Sequence, residues 1–362
     1  MIRQKRWRFS VFVLIVIAVW LMVYSLFMPD RTMETIRSAL DIFVRSVLPP
    51  LAVFSVCSKL LVKTKAIENF IPVKMSCFLD VLGMSSGGLS AFLVGFIAGF
   101  PTGAAMISDL CGKGEISEDE AASLLPFCNH ASAAFLFGTV GKSMLNDSSM
   151  GFIFFFAQTV TAWVCVCMTA HERIDKRLPM RSNDTSHVSF VSAFTTSIRE
   201  SAFSMVNVCG FVVFFSLAGT VLFDTLFACG SLTDPSFFAL IGGVLEISFG
   251  FRWLSEGFFS PKALLILGGI LLGFGGISVF MQAIERTEAF FFSPGKYFEG
   301  KLLESVICPM FCMFFFFLYQ RKNGKSLIVV CSVLIFCGFY FLNYIKIKFF
   351  SKKCGKIERN AV

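Results

Sequence analysis

The carboxylate of Glu246 is the group in this chain best placed to do chemistry, because it lies in the middle of a long apolar run. Its neighbours from Gly242 to Ser248 include no other ionisable side chain. Ionisable groups at membrane depth are costly, and by default they serve a function. Glu246 is therefore predicted to bind a solute or to couple an ion. The alternative is a structural carboxyl that is protonated or paired with Arg252.

Two breaks in the first half of the chain place polar groups where apolar helices are interrupted. Phe100-Pro101-Thr102-Gly103 frees a backbone carbonyl at the proline and adds the Thr102 hydroxyl. Further on, Asn129 and Ser132 are good helix caps that flank His130, and the next half-helix offers a positive dipole end. Solute binding is predicted here. The alternatives are a packing kink, an ordinary capped loop and a His130 that is merely hydrogen-bonded rather than a proton relay.

A third break, Gly275-Gly276-Ile277-Ser278, carries little side chain, so a ligand could approach its backbone closely. Gln282 lies one turn beyond Ser278 and could line the same cavity. Two such breaks meeting at mid-membrane would suit an anion. The predicted substrate-binding residues are Thr102, Asn129, His130, Ser132, Glu246, Gly275, Gly276, Ser278 and Gln282.

Enzyme motifs are missing from the sequence. It contains no Walker-type loop, no GxSxG elbow and no HExxH pair. No catalytic residue, metal ligand or cofactor is therefore predicted, and the protein is not expected to be an enzyme.

The composition is that of a membrane protein. Hydrophobic residues make up 56% of the 362 residues and charged residues 15%, whereas soluble domains carry about 25% charged residues. The mean hydropathy is +0.75. The net charge of +8 is gathered in short hydrophilic stretches, which is typical of topology signals and not of a nucleic-acid surface. The expected partners are the lipid bilayer and a small-molecule substrate, and the oligomeric state is left open.

Apolar stretches of about 20 residues predict an all-α polytopic fold with about eight spanning helices. They lie near 9–27, 42–62, 87–110, 150–170, 198–222, 235–252, 302–319 and 326–345. Two interrupted segments, near 117–145 and 260–285, are predicted to be re-entrant hairpins, because non-helical backbone at membrane depth must lie against protein or a wet cavity. Two interfacial runs are expected near 66–82 and 171–187.

The distribution of basic residues predicts that both termini face the cytoplasm. The first helix is preceded by a basic segment and is too long for a signal peptide, so it is expected to remain as a spanning helix. In this topology three later basic clusters lie on the cytoplasmic side, as the rule requires. A fourth cluster, at 321–325, lies on the outside and does not follow the rule. The inside clusters are Lys59/Lys63/Lys65, Arg173/Lys176/Arg177/Arg181 and Lys346/Lys348/Lys352/Lys353.

A weak internal repeat relates the two halves. Leu93-Val94-Gly95 matches Leu240-Ile241-Gly242 at an offset of 147 residues, and Gly103 meets Gly250 at the same offset. In the predicted topology the copies enter from opposite sides, and inverted repeats with broken helices are typical of secondary transporters. The predicted domains are an N-terminal helix (1–30), a Gate-like repeat (31–170) with hairpin 117–145, a cytoplasmic linker (171–190), a second Gate-like repeat (191–300) with hairpin 260–285, and a C-terminal helix pair with a basic tail (301–362).

The breaks and their flanks resemble those of the sporulation integral membrane protein YlbJ (SpoVV) family, within the nucleoside-recognition (Gate) domain membrane proteins. The resemblance runs in order from about residue 36 to residue 305. Its stretches are Gly99-Phe100-Pro101-Thr102-Gly103, Leu125-Pro126-Phe127-Cys128-Asn129-His130-Ala131-Ser132, Phe137-Gly138-Thr139-Val140-Gly141, Leu245-Glu246-Ile247 and Phe274-Gly275-Gly276-Ile277-Ser278-Val279.

The resemblance implies a fold similar to concentrative nucleoside transporters, with two helical hairpins. It also implies a role in endospore formation, in which dipicolinic acid, a small aromatic dianion, moves across the outer forespore membrane. A nucleoside or other small-solute carrier on the same fold is the first alternative. A non-transporting membrane scaffold for spore assembly is the second.

Overall fold

The computed structural model describes residues 2–64, 79, 81–170, 189–228, 234–287 and 293–359. Every regular element within these ranges is helical, as the composition predicts. The helices are α1 (Ile2–Phe27), α2 (Pro29–Ile42), α3 (Leu48–Lys63), α4 (Ser86–Ala98), α5 (Thr102–Gly112), α6 (Glu118–Cys128), α7 (Ser148–Thr169), α8 (Phe190–Ala228), α9 (Pro235–Leu245), α10 (Ile247–Glu256), α11 (Pro261–Phe274), α12 (Ile277–Arg286), α13 (Pro294–Tyr319) and α14 (Gly324–Arg359). Two π-helical segments, Phe43–Val47 and Phe135–Met144, complete the set.

Five described helical segments are long and apolar enough to cross a bilayer. They are α7, α8, the joined pair Pro261–Arg286, α13 and Gly324–Ile345 of α14. A sixth arises if Ile15–Phe27 and Pro29–Val47 count as one span, although these two are bent by 108°. The all-α polytopic class is confirmed, and so are the predicted spans near 150–170, 198–222, 302–319 and 326–345.

The chain reverses direction between α4 and α5 and again between α9 and α10. A Cβ added to Gly103 would lie 3.2 Å from the Gly95 Cα, and one added to Gly250 would lie 2.4 Å from the Gly243 Cα. In a continuous helix, residues seven or eight apart are separated by about 10–12 Å. Segments 86–112 and 235–256 are therefore helical hairpins, each closed by a glycine-to-glycine contact.

The hairpins thus lie one element earlier in each half than the sequence predicts. The predicted hairpin 260–285 is instead one 26-residue span, Pro261–Arg286, interrupted at the two glycines. In the predicted hairpin 117–145, no extensive packing joins α6 to the π-helix Phe135–Met144, and both are described throughout. The predicted spans 87–110 and 235–252 are the true hairpins. Proline and glycine reveal where a helix is interrupted, but packing across the break decides whether the chain reverses.

Helix α8 runs antiparallel to α2 and α3 along its whole length. Lys63 Nζ lies 2.9 Å from Glu200 Oε1, and Arg31 Nε lies 3.3 Å from Asp224 Oδ2. Arg31, the earlier cation in the chain, thus pairs with Asp224, the later carboxylate, and Lys63 pairs with the earlier Glu200. This order is that of antiparallel helices. Glu200 and Asp224 are 24 residues apart, which is about 36 Å along a helix and slightly more than the roughly 30 Å of a bilayer core. The two ion pairs consequently mark opposite sides of the membrane region.

We expect a disulfide between α3 and α8 to form when suitable cysteines are introduced. Ser55 Oγ donates to Ser201 Oγ at 3.0 Å, within the side-chain separation that a disulfide can close. Oxidation of the variant Ser55→Cys/Ser201→Cys should link α3 to α8. After tryptic cleavage in the 171–188 linker, most of the two fragments should migrate together on a non-reducing gel.

The matched control for the cross-link is Ser55→Cys/Ser197→Cys, in which the second cysteine lies one turn earlier on α8. The unmodified chain, with its own thirteen cysteines, is the second control. Equal linkage in all three proteins, or none in the first, would contradict the antiparallel arrangement.

Some sequence predictions fall outside the described residues. The interfacial run 66–82 and the linker 171–190 lie almost wholly in the undescribed ranges. The bounds of the two predicted repeats stay predictions, although each half holds one hairpin followed by one interrupted helix.

Candidate solute-binding site

One small cavity, here called the chamber, is lined by residues from both halves of the chain. Its polar lining residues are Ser132, Glu246, Ser248 and Gln282. Its apolar lining residues are Val47, Leu51, Phe100, Phe135, Val208 and Val212. Three of the predicted binding residues therefore meet here, although Ser132 lies more than a hundred residues before Glu246 and Gln282 in the chain. Ser248 and the two phenylalanines were not among the predicted binding residues.

The first hairpin reaches the chamber because its tip is held on the break after α6. The Phe100 N–H donates to the His130 carbonyl oxygen at 2.8 Å. Gly99 turns the tip with φ +72°, and a Cβ there would lie 2.6 Å from the Ser132 nitrogen. The Ser132 hydroxyl accepts from the Phe135 N–H at 3.1 Å, which confirms its predicted capping role. These contacts place Phe100 and Ser132 side by side on the chamber wall.

The second hairpin presents Glu246 at its tip. Glu246 has an extended backbone between α9 and α10, and its Oε2 accepts from the Phe249 N–H at 2.7 Å. A carboxylate at a helix N-terminus is stabilised by the unpaired N–H groups and the helix dipole. The alternative pairing with Arg252 is not formed, because that guanidinium donates to Glu256 Oε1 at 2.7 Å and to the Ser38 hydroxyl. Helix-end hydrogen bonding therefore holds Glu246 at the chamber.

The glycines of the third break support the second hairpin instead of lining the chamber. Gly275 and Gly276 have φ values of +82° and +92°, which residues with a Cβ rarely adopt. A Cβ on Gly276 would lie 3.1 Å from the Gly243 carbonyl oxygen, so the hairpin tip packs on this break. Ser278 is fully buried, and its hydroxyl accepts from Gln282 Nε2 at 3.2 Å. Of this break's predicted residues, only Gln282 reaches the chamber.

Asn129 and His130 face away from the chamber, toward α13. Asn129 Nδ2 donates to the Tyr297 hydroxyl at 2.9 Å, and His130 Nε2 lies 2.9 Å from Glu304 Oε1. Lys301 Nζ donates to Glu304 Oε2 at 2.8 Å and to the Asn129 carbonyl oxygen at 2.9 Å. These five residues form what we call the α13 network. Their side chains bind one another, so the predicted contact of Asn129 and His130 with solute is not supported.

The α13 network was missed because its polar residues lie at the start of an apolar run. The predicted span begins at residue 302 and so leaves Lys301 outside, yet Lys301 is 0% exposed and Glu304 is 1% exposed. A lysine and a glutamate at i and i+3 occupy the same helix face. Such a pair at the edge of a spanning segment was the available signal.

Thr102 lines a separate cavity, the lysine vestibule, which runs along α5 of the first hairpin. The polar residues of the lysine vestibule are Lys59, Lys63, Thr102, Ser108, Asp109, Glu200, Ser204, Glu285 and Arg286. A second polar cavity, the arginine vestibule, lies beside the second hairpin. Its polar and charged residues are Arg31, Glu34, Thr35, Ser38, Thr220, Asp224, Arg252 and Glu256. Thr102 therefore lies on the approach to the chamber and not in its wall.

The chamber lies midway between these vestibules. Glu200 belongs to the lysine vestibule and Asp224 to the arginine vestibule, and Val208 and Val212 line the chamber between them on α8. A further cavity, the side cavity, shares Glu246 and Ser248 with the chamber. The side cavity also shares Thr35, Phe249 and Arg252 with the arginine vestibule. The lining residues of these cavities thus follow one another from one side of the membrane region to its middle. On the other side, the first hairpin tip contributes Phe100 to the chamber and Thr102 to the lysine vestibule.

Comparison with known proteins identifies one curated relative. The chain is 26% identical over 320 residues to the sporulation integral membrane protein YlbJ of Bacillus subtilis (strain 168). The match covers 79% of this chain and 78% of the relative. No protein-family model and no solved structure matches the chain.

The name of the relative agrees with the apolar helices of the structure. The name is that of an integral membrane protein, and five described helical segments of this chain are long and apolar enough to cross a bilayer. The match extends over most of both chains, so it includes the hairpins as well as the interrupted helices. The comparison supports the assignment of this chain to the YlbJ family of sporulation integral membrane proteins.

Proposed function

We propose that this protein is a membrane carrier for a small anionic solute, with dipicolinic acid as the substrate. The observation that carries the proposal is a chamber, built by both hairpins, that lies midway between two vestibules. A central site between inverted units is what alternating access requires. Because the YlbJ relative is named a sporulation protein, we assign the transport step to endospore formation, at the outer forespore membrane.

The charges of the lysine vestibule favour an anion. Lys59, Lys63 and Arg286 all line it, and Lys63 pairs with Glu200. Within the described part of the chain, neither Lys59 nor Arg286 has a carboxylate within 4.0 Å. Clustered cations in a cleft raise the local concentration of anions. Asp109, Glu200 and Glu285 equal the three cations in number, so the attraction for an anion comes from the positions of Lys59 and Arg286 and not from a net charge of the vestibule.

A neutral polar solute such as a nucleoside is the second candidate, and the chamber itself favours it. No lysine, arginine or histidine is among the described residues that line the chamber. Hydroxyls, an amide and aromatic rings are typical of sites for uncharged polar ligands. The vestibule and the chamber therefore favour different solutes, and transport measurements must decide between them.

We further propose that both termini face the cytoplasm, with the lysine vestibule on that side. Lys59 and Lys63 lie at the end of α3 that borders this vestibule. Lysine and arginine are enriched on the cytoplasmic side of membrane proteins. The proposal includes no catalytic step, in keeping with the name of the relative, which is that of a membrane protein and not of an enzyme.

A flux assay tests the proposed function directly. The full chain would be reconstituted in liposomes, and the initial uptake of radiolabelled dipicolinate would be compared with that of uridine. We expect saturable dipicolinate uptake that unlabelled dipicolinate competes with, and uridine uptake equal to that of empty liposomes. Uridine uptake without dipicolinate uptake would support the nucleoside carrier. Movement of neither solute would favour a membrane scaffold and would contradict a carrier for either.

Gln282→Met should weaken the apparent affinity for the transported solute roughly three- to tenfold, since one lost hydrogen bond is worth about 1 kcal/mol. Methionine keeps the length of the side chain and removes the amide that lines the chamber. The measurement is the half-saturating concentration of uptake. Gln320→Met, at the exposed end of α13, is the matched control and should behave as the unmodified protein. Equal affinities in both variants would remove Gln282 from the site.

A further inference from the structure

The hydroxyls of Ser132 and Ser248 are the main hydrogen-bond donors among the described residues that line the chamber. Gln282 Nε2 donates to Ser278 Oγ, while Gln282 Oε1 is buried without a partner. Glu246 adds two carboxylate oxygens, of which Oε2 accepts from the Phe249 N–H. A buried acceptor without a partner costs about 1–3 kcal/mol. The lining therefore offers strong acceptors, and a ligand that brings only carboxylates would meet few groups able to donate to it.

Glu246 lies at the hairpin tip between two cavities. It lines the chamber on one side and the side cavity on the other, and it is 3% exposed. The first repeat offers no equivalent, because the residue at the same offset of 147 is Gly99. A carboxylate thus lies at only one of the two hairpin tips, at the boundary between two cavities.

Few charged groups face Glu246. Arg252 lines the side cavity, but its guanidinium donates to Glu256 and Ser38. Beyond it, the arginine vestibule holds Arg31 and Glu34 of α2 and Asp224 of α8, and Arg31 pairs with both of these carboxylates.

The other elements packed on the hairpin contribute no closer charge. On α12 the charged residues Glu285 and Arg286 lie in the lysine vestibule, and on α11 Lys262 lies at the start of the helix. Within the described residues, no cation is bonded to the Glu246 carboxylate. An unpaired carboxylate in a low-dielectric chamber is costly and would repel an anion.

We propose that the carrier moves its solute together with one proton, which the Glu246 carboxylate carries. This inference rests on the proposed function and names its driving ion. Water on one side supplies the proton to a carboxylate oxygen of Glu246, which removes its charge. The resulting O–H donates to a carboxylate of the solute and so adds a donor to the hydroxyls of Ser132 and Ser248. When the chamber opens to the other side, the proton returns to water there; no other bond forms or breaks.

Net uptake and exchange separate this proposal from the proposed function. The full chain in liposomes would take up radiolabelled dipicolinate at a constant outside pH, so that the ionisation of the solute does not vary, while the inside pH is set equal or one unit higher. For one proton per solute, a gradient of one unit should raise accumulation up to about tenfold, and a protonophore should abolish the rise. Counterflow exchange of labelled for unlabelled dipicolinate should not need the gradient.

Glu246→Gln should lose the effect of the gradient on net uptake, because the amide cannot release a proton. The uptake and counterflow exchange that remain in this variant should be the same with and without the gradient. Glu118→Gln, an exposed acid at the start of α6, is the matched control and should keep the gradient effect. A gradient effect that survives in Glu246→Gln would overturn the proposal. Dipicolinate uptake by the unmodified protein that does not change with the gradient would also overturn the proposal and leave the carrier function intact. This measurement does not depend on whether the variant folds. Absence of both uptake and exchange would instead refute the carrier function.

Discussion

Gly103→Ala is expected to abolish the folded protein, although it adds a single methyl group. A Cβ at this position would lie 1.9 Å from the Cys128 carbonyl oxygen, a backbone atom that cannot rotate away. A Cβ added to Gly95, on the other arm of the hairpin, would lie 2.3 Å from the same oxygen. Overpacking a well-packed core costs about 1–3 kcal/mol, and a clash between backbones exceeds that range. The hairpin must then leave the break after α6, and with it the chamber loses Phe100.

The measurement is the yield of monodisperse protein in detergent and its melting temperature. Gly210→Ala is the matched control, because nothing lies within 4 Å of its added Cβ on α8. That substitution should be neutral, or stabilising by up to about 1 kcal/mol through helix propensity. A Gly103→Ala protein that melts at the same temperature as Gly210→Ala would show that the hairpin does not cross the break at this point.

Lys301→Met is expected to lower the melting temperature by on the order of 10 °C, since removal of one partner from a buried ion pair costs about 3–5 kcal/mol. Methionine preserves the length of the side chain, so packing changes little. Without the ammonium, Glu304 keeps only His130 as a partner, and the Asn129 carbonyl oxygen loses its donor. Both groups are almost completely buried. The break after α6 should therefore loosen even though Lys301 does not touch the chamber.

Two further variants separate charge from packing at this site. Lys301→Met/Glu304→Gln leaves no unpaired charge and should recover a substantial part of the loss, because the two groups interact directly. Lys296→Met, an exposed lysine on the same helix, should melt as the unmodified protein does. If Lys301→Met and Lys296→Met melt alike, the α13 network does not stabilise the fold.

The helix breaks could be predicted from the sequence because local chemistry creates them. Pro101 frees a carbonyl, Gly275 and Gly276 adopt positive φ values, and Ser132 caps the segment that follows it. Each of these effects acts over a few residues. Their positions in the structure agree with the prediction.

The direction of the chain after each break could not be predicted in the same way. A break after Ala98 and a break after Phe274 look alike in sequence, yet the first ends in a reversal and the second continues as one span. The difference lies in distant partners. Gly95 and Gly103 can approach each other because the Cys128 carbonyl fits between them.

The orientation of polar side chains was also beyond the sequence. Asn129, His130 and Ser132 lie within four residues, but only Ser132 faces the chamber. The other two turn toward Tyr297 and Glu304, some 170 residues away along the chain. The predicted site therefore divided into residues that line the chamber and residues that bond to other parts of the protein.

The sequence alone determined the class of the protein, because hydropathy reflects the lipid environment. It also determined the positions of the helix breaks, because glycine and proline act on the local backbone, and it showed that Glu246 has no ionisable neighbour in its apolar run. Only the tertiary structure decided which segments form the hairpins, which polar residues share a cavity and which pair with α13. These outcomes depend on close approach between residues far apart in the chain, and nothing in the local sequence encodes the identity of such a partner.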